Sequence, residues 1–127
     1  MRDPSLVAAM AGVIAAALAA GCSRSTVRAA QEMTAGDASR GRAAVRKYGC
    51  TSCHAIPGAG GPQGQVGPPL TGIGGRTYLA GALPNTPENL VHWIRHPQEI
   101  RQPNVMPDMG VTEEDGRDIA AFLYTLQ

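Results

Sequence analysis

Residues 50–54 read Cys50-Thr51-Ser52-Cys53-His54, and this stretch decides what the rest of the chain has to build. Two cysteines three positions apart on a helical turn face the same side, so their sulfurs can add to the two vinyl groups of one porphyrin. The adjacent histidine is then directed at the iron as a ligand. Because Cys-x-x-Cys-His is the attachment signature of c-type haem, the stretch predicts a covalent haem site at Cys50, Cys53 and His54.

Two other kinds of site share parts of this pattern. A thioredoxin-like dithiol belongs to a βαβ setting, whereas here a predicted helix precedes the motif and a glycine-rich segment follows it. A zinc site could combine the two cysteines with His92 and His96, which have His-x-x-x-His spacing. The 38 residues between Cys53 and His92 far exceed the usual zinc-finger interval, so haem is the favoured interpretation.

Composition also indicates a bound group. The 127 residues include 16 glycines, 10 prolines and five aromatic residues, and many of the glycines and prolines lie between Pro57 and Pro87. Glycine costs backbone entropy and proline lacks a donor, so a single domain with this irregular middle needs something else to organise it. A large apolar cofactor would do so, although a disordered linker has a similar composition. The formal net charge of +1 argues against a nucleic-acid-binding surface.

Capping residues and apolar spacing predict three helices. They run from the cap Asp37 to about Lys47, from Thr86 to His96, and from Thr112 to about Leu126. Aspartate and threonine accept the free N–H groups of a first turn, and Pro97 disfavours continuation of the second helix. The apolar faces consist of Gly41, Val45 and Tyr48 in the first helix and of Ile119, Phe122, Leu123 and Leu126 in the last.

The chain resembles the class I cytochrome c family over about Asp37 to Gln127. The matching pieces are, in order, Gly41 and Tyr48, the pentapeptide 50–54, Gly67-Pro68-Pro69-Leu70, Gly75-Arg76, Leu90 to Pro97, Asn104-Val105-Met106-Pro107, and Asp118 to Leu126 with Phe122. The resemblance implies an all-α class I cytochrome c fold, in which three to four short helices and glycine- and proline-rich loops wrap around one covalently bound haem. It also implies that Gly41 lets the first and last helices cross closely near Phe122.

The resemblance assigns roles to further residues around His54. The carbonyl of Pro68 is expected to accept the free N–H of that ring. Arg76 is expected near the haem propionates, with a plain exposed charge as the alternative. Trp93 is expected near the haem, with ordinary core packing as the alternative.

The sixth position of the iron has two candidate methionines. Met106 is followed by Pro107 and lies nine residues after Pro97, as the axial methionine of the family does. Met109 is three residues further on and could instead line the pocket. We expect His54 and Met106 to be the metal ligands, with His92 or His96 as the next candidates.

The N-terminal segment is expected to be an export signal and to provide a membrane anchor. Residues 6–20 form an uninterrupted run of 15 apolar or small residues, which is short for a membrane span and suits an export signal. The segment Ala19-Ala20-Gly21-Cys22 resembles the bacterial lipobox, which implies a signal peptide over residues 1–21 and lipidation of Cys22. Ordinary cleavage after Ala19 and an uncleaved anchor are the alternatives.

Residues 23–36 are small and polar, so we expect residues 22–36 to be a flexible tether with a reach of roughly 20 Å. The cytochrome c domain then occupies residues 37–127. Lipidation would hold it on the periplasmic side of the bacterial inner membrane, or on the outer surface of the cell membrane.

A histidine–methionine iron has no open position, so the expected function is electron transfer and not enzymatic catalysis. The expected partners are respiratory-chain proteins, with electrons passing from a quinol-oxidising complex to a terminal oxidase or reductase. The domain is expected to be monomeric and to bind no nucleic acid. A small haem enzyme or gas sensor with a displaceable sixth ligand is one alternative, and a fixed haem subunit of a respiratory complex is another.

Overall fold

Helices supply most of the regular structure in the computed structural model, which describes residue 21 and residues 23–127. The α-helices are α1 over residues 23–34, α2 Ala38–Lys47, α3 Pro87–Arg95, α4 Pro97–Ile100 and α5 Glu113–Tyr124. The connections contain two 3-10 turns, Cys50–Ser52 and Ile73–Gly75, and two antiparallel two-residue strands, β1 Tyr78–Leu79 and β2 Leu83–Pro84. In this strand pair Tyr78 lies opposite Pro84 and Leu79 opposite Leu83. The predicted all-α class is confirmed.

The three predicted helices begin at the predicted caps. The Asp37 side chain accepts the backbone N–H groups of Ser39 and Arg40, the Thr86 hydroxyl accepts that of Asn89, and the Thr112 hydroxyl accepts that of Asp115. The second helix ends with His96 as its cap, as predicted, but Pro97 then opens the short helix α4. Proline is compatible with the first turn of a helix because its missing N–H would have no partner there.

Helices α2 and α5 cross at very short range at Gly41. A Cβ atom on Gly41 would lie 1.9 Å from the backbone oxygen of Asp118 and 2.9 Å from the Cβ of Phe122. Only glycine leaves room for this approach. The predicted close crossing near Phe122 is therefore confirmed, and we call this contact the α2–α5 crossing.

A buried carboxylate locks the same crossing. Asp118 is only 1% exposed, and its Oδ1 accepts the Asp37 backbone N–H at 2.6 Å and Arg40 Nη2 at 2.9 Å. Its Oδ2 accepts Arg40 Nε at 2.6 Å. One side chain of α5 thus holds both the cap and the first turn of α2.

The hydrophobic core lies among α2, α3 and α5 and extends to the cysteine–histidine motif at residues 50–54. Its fully buried apolar side chains include Val45, Leu90, Ile119 and Ile56, the last of which lies two residues after His54. Cys50 is half-buried and packs against this cluster. The core therefore fixes the position of the motif from two sides.

The segment expected to be a flexible tether differs from that prediction, since residues 23–34 are helical. Ala30 is buried, Val27 packs against the core, and the Thr34 hydroxyl donates to the Ala30 carbonyl at 2.8 Å. Alanine, glutamine, glutamate and methionine, which fill residues 29–33, favour helix. Burial of Ala30 adds a tertiary contact that the composition alone did not indicate.

Part of the N-terminal prediction falls outside the description of the structure. Residues 1–20 and Cys22 are not among the described residues, so the signal peptide and the lipidation remain predictions. Within residue 21 and residues 23–127, no helix combines the length and the hydropathy that crossing a bilayer requires.

Candidate functional site

The motif 50–54 forms a single tight turn directly after α2. The backbone N–H groups of Cys53 and His54 both donate to the Cys50 carbonyl, at 3.2 and 2.9 Å. Both cysteines are free thiols and half-buried. The turn therefore presents two sulfurs and one imidazole from five consecutive residues, as the spacing predicts.

Burial raises the pKa of the Cys50 thiol above its ordinary value, and the neighbouring Cys53 adds to the rise. The thiol is therefore neutral at neutral pH. Redox-active dithiols work the other way, because their nucleophilic cysteine has a lowered pKa. This difference disfavours the dithiol alternative.

The ring of His54 is fixed by the loop that follows it. Its Nδ1 lies 2.7 Å from the Pro68 carbonyl oxygen, and because a carbonyl can only accept, Nδ1 carries the proton. The lone pair on Nε2 is then available to a metal. The predicted contact between His54 and Pro68 is present in the structure.

Gly67 makes that contact sterically possible. A Cβ atom on Gly67 would lie 2.3 Å from Cε1 of the His54 ring. The backbone therefore lies directly against the imidazole, and any larger residue would displace either the ring or the loop. The glycine of the Gly-Pro-x-Leu loop is required by this close approach.

Four further hydrogen bonds hold this loop in place. The Gly67 N–H donates to the Cys53 carbonyl at 2.8 Å and the Leu70 N–H to the Ala55 carbonyl at 2.9 Å. Arg76 is exposed, and its Nη2 donates to the carbonyls of Pro69 and Thr71 at 2.7 and 3.0 Å. Arg76 thus supports the segment that carries Pro68, and its expected place beside the propionates stays a prediction.

Trp93 and Met106 are half-buried, yet neither belongs to the hydrophobic core or to the side chains packed on it. Helix α3 turns Leu90 and Ile94 into the core, whereas Trp93 lies outside it. Trp93 is therefore not part of the buried cluster, and its expected place near the haem stays a prediction. Met109 is 45% exposed, so the more buried Met106 is the better candidate for a ligand.

Met106 lies in a segment without helix or strand, residues 101–110, here called the Met106 loop. Its backbone N–H donates to Asn104 Oδ1 at 2.9 Å, and its carbonyl accepts Gln98 Nε2 at 2.8 Å. Sequence reasoning gave Asn104 no role of its own and missed Gln98. No spacing rule indicates Gln98, because its contact depends on how an irregular loop folds back on α4.

The two histidines of the zinc alternative interact with carboxylates and not with the cysteines. His92 Nε2 lies 3.1 Å from Glu99, and His96 Nδ1 lies 3.9 Å from Glu99 and 3.8 Å from Asp108. Among the described residues, no three His, Cys, Asp or Glu side chains are arranged to hold a metal ion. The proposed Cys50, Cys53, His92 and His96 set is therefore not assembled.

The structure thus brings Cys50, Cys53, His54 and Pro68 together in one hydrogen-bonded unit, and Arg76 joins it through the loop. No hydrogen bond in the described part of the chain links Trp93 or Met106 to this unit. Their expected place in the site stays a prediction, which for Met106 is supported by the methionine motif.

Comparison with known proteins agrees with this arrangement. A family model described as cytochrome c matches residues 38–127. Cytochrome c oxidase subunit 2 of Alkalihalophilus pseudofirmus is 40% identical over 98 residues, which cover 76% of this chain and 28% of that protein. The chain thus spans less than a third of the length of this relative. No solved structure is significantly similar to the chain.

The family match includes the cysteine–histidine turn, the Pro68 loop and the methionine motif, and it covers well over half of the sequence. Members of this family bind haem covalently and use it for electron transfer. The chain therefore belongs to the cytochrome c family.

Proposed function

We propose that this chain is a mono-haem electron carrier whose haem is joined to Cys50 and Cys53 and held axially by His54 and Met106. The observation that carries the proposal is the 2.7 Å contact between His54 Nδ1 and the Pro68 carbonyl, because it leaves only Nε2 to face a metal. The family match supports haem-based electron transfer in general. The proposal goes beyond the family match in three respects: the number of haems, the pair of axial ligands and the role as a carrier.

The donor set fits the group on its own chemistry. Two free thiols lie within one turn, the imidazole is oriented by a carbonyl and backed by the Gly67 backbone, and a thioether lies in a half-buried position. When bound, haem supplies a one-electron couple whose potential rises with methionine ligation. The residues of the chain hold it, exclude a sixth exogenous ligand and keep the histidine basic.

Covalent attachment is tested by extraction and mass. Acid–acetone treatment should leave the colour with the polypeptide, and the denatured chain should weigh one haem more than the apo chain. Cys50→Ser and Cys53→Ser should each leave a single thioether, while Ser52→Ala, on the exposed residue between them, should leave both. A colourless protein that contains zinc would refute the proposal.

The methionine ligand is tested by Met106→Ala. The methionine–iron(III) charge-transfer band should vanish, the reduction potential should fall, and the reduced form should bind carbon monoxide. Wild-type protein that binds carbon monoxide readily would instead favour a gas sensor or a small haem enzyme with a displaceable ligand.

For partners, we propose a quinol-oxidising complex as the electron donor and a terminal oxidase or reductase as the acceptor. The relative that bears the name cytochrome c oxidase subunit 2 supports an oxidase on the acceptor side. The same relative favours a second candidate, a haem domain fixed within a respiratory complex. Purification of the native protein in mild detergent separates the two, because a fixed domain co-purifies stoichiometrically with an oxidase and a carrier does not.

For location, we propose an export signal over residues 1–21 and a lipidated Cys22 that holds the domain at the periplasmic side of the inner membrane or at the outer cell surface. The apolar run and the lipobox-like residues 19–22 support this. The native N-terminal peptide should carry acyl chains. In the Cys22→Ala variant, the protein should appear in the soluble fraction and no longer in the membrane fraction. An unmodified peptide beginning at Ala20 would contradict it.

A further inference from the structure

We propose that Gln98 and Asn104 are positioning residues that hold the backbone of Met106, and thereby keep its sulfur at the iron against competing ligands. The inference rests on the proposed function, since it takes Met106 as an axial ligand. It concerns neither ligation itself nor attachment, but how firmly the ligand is kept.

The two amides hold both polar groups of Met106. Asn104 Oδ1 accepts its backbone N–H at 2.9 Å, and Gln98 Nε2 donates to its carbonyl at 2.8 Å. Both distances lie in the normal range for a hydrogen bond. The peptide units on either side of the Met106 Cα are therefore each fixed by a side chain.

The side-chain NH₂ groups of the same two residues make further hydrogen bonds. Gln98 Nε2 also donates to the Asn104 carbonyl at 3.1 Å. Asn104 Nδ2 donates to the carbonyls of Pro97 and Arg101. An amide NH₂ group has two hydrogens, so both donors of each side chain are satisfied by carbonyls of α4 and the loop. We call Gln98 and Asn104 together the amide clamp.

The other side-chain contacts of the Met106 loop in the described structure lie away from the methionine, at Arg101 and Asp108. The Met106 loop has no helix or strand, and Val105, beside the methionine, is 84% exposed. A segment with few buried apolar contacts and few backbone ladder bonds opens easily. Its conformation therefore depends on side-chain hydrogen bonds to a degree that a helix does not.

The clamp is attached to a firm base. Pro97, whose carbonyl accepts Asn104 Nδ2, is one of the most completely buried residues in the described part of the chain. Gln98 follows it on α4. On the other side of the loop, Arg101 Nη1 donates to the Ala80 carbonyl at 2.8 Å. The clamp thus attaches the exposed Met106 loop to a buried part of the domain.

A ligand that is part of the chain competes through its effective concentration, which falls when its segment gains freedom. Preorganisation of the methionine lowers the entropy lost on binding. Removing one clamp bond should therefore weaken the methionine against an added ligand, by about fivefold for a typical single hydrogen bond.

The test uses haem-loaded protein and imidazole as the competing ligand. Asn104→Asp keeps the acceptor for the Met106 N–H and removes the two Nδ2 donors, and Gln98→Leu removes both Nε2 donors. Each should raise the apparent affinity of the ferric form for imidazole at least about fivefold and weaken the methionine–iron(III) band. Gln98→Glu, which has the same shape but cannot donate, repeats the measurement should the leucine variant not fold.

Asn85→Asp is the matched control. Asn85 Nδ2 also donates to two loop carbonyls, those of Ile73 and Arg76, and its Oδ1 accepts the Tyr124 hydroxyl. This variant should lose stability to a similar extent and leave imidazole affinity unchanged. A purely structural role of the clamp predicts instead that all the variants change affinity in proportion to their loss of stability.

The outcomes separate this inference from the proposed function. If Met106→Ala removes the band while the clamp variants keep wild-type imidazole affinity, the clamp is refuted and methionine ligation stands. If the Met106→Ala variant has the same spectrum as the wild-type protein, Met106 is not a ligand, and both the proposed ligation and the clamp are refuted.

Discussion

The α2–α5 crossing and the Met106 loop are stabilised by different means. At the crossing, two regular helices meet backbone to backbone at Gly41 and share the buried carboxylate of Asp118. In the loop, an irregular backbone is held by the amides of Gln98 and Asn104. The conformation of the crossing is determined by close packing that tolerates no added atoms. The conformation of the loop is determined by individual side-chain hydrogen bonds, each of which can be removed by a single substitution. Substitutions should therefore damage stability at the crossing and ligand retention at the loop.

Gly41→Val should produce the largest loss of stability. Its side chain would have to occupy space where the backbone oxygen of Asp118 already lies 1.9 Å from the Cβ position. Backbone cannot yield as a side chain does, so we expect a loss of about 3 kcal/mol in the free energy of unfolding, measured by urea denaturation.

Gly116→Ala is the control for that loss. In α5 its Cβ would meet the flexible side chain of Arg95 at 3.2 Å and Val91 at 3.4 Å. Alanine favours helix over glycine by about 1 kcal/mol, so this variant should be neutral or more stable. Equal losses in both variants would contradict the special role of the Gly41 contact.

Asp118→Asn should have the next largest effect on the crossing. The variant keeps the size of the side chain but loses the charged acceptor that three N–H groups share. Because Arg40 is 60% exposed, solvent screens much of the ion pair, and we expect a loss of about 2 kcal/mol in urea denaturation. Arg117→Ala, which removes the exposed pair with Glu113, should cost under about 1 kcal/mol; a comparable cost would show that Asp118 has no special weight.

Tyr124 predicts a smaller, pH-dependent effect on α5. Burial, with a contribution from Glu88, raises the pKa of its hydroxyl to about 12, from an ordinary value of about 10. The unfolded chain therefore ionises first, so the contribution to stability is complete below about pH 10 and is lost as the pH rises towards about 12. Urea denaturation across this range should show the decline, and Tyr124→Phe should flatten it; an equally steep decline in the phenylalanine variant would locate the titration elsewhere.

Met109→Ala should have the smallest effect and sharpens the view of the loop. The side chain is 45% exposed, so its removal should change the free energy of unfolding by about 0.5 kcal/mol or less. The methionine–iron(III) band should persist. Loss of the band in this variant, with the band retained in Met106→Ala, would move the ligand assignment by three residues.

The same contrast explains what the sequence could predict. The cysteine–histidine turn, the caps Asp37, Thr86 and Thr112, and the close approach at Gly41 all follow from local rules or from an ordered motif. Each of these features depends on residues within one turn of one another, or on a pattern that recurs in a family. The structure places all of them as expected.

The features that the sequence did not predict depend on distant contacts. Helix α1 was expected to be flexible because its residues show no apolar period, and its order includes the burial of Ala30, which only the folded domain provides. Gln98 on α4 reaches Met106, eight positions further along the chain, because the irregular loop folds back on the helix. Neither contact has a signature in composition or spacing.

Helix α1 has a geometric consequence for how the domain meets other molecules. Twelve helical residues, 23–34, extend about 18 Å at 1.5 Å per residue, close to the roughly 20 Å expected of a flexible segment. The reach is thus almost unchanged, but the direction is now defined by the burial of Ala30 and the contact of Val27 with the core. A packed helix removes the freedom of this segment relative to the domain, so the entropy of ordering it is lost when the chain folds and does not have to be lost again on docking.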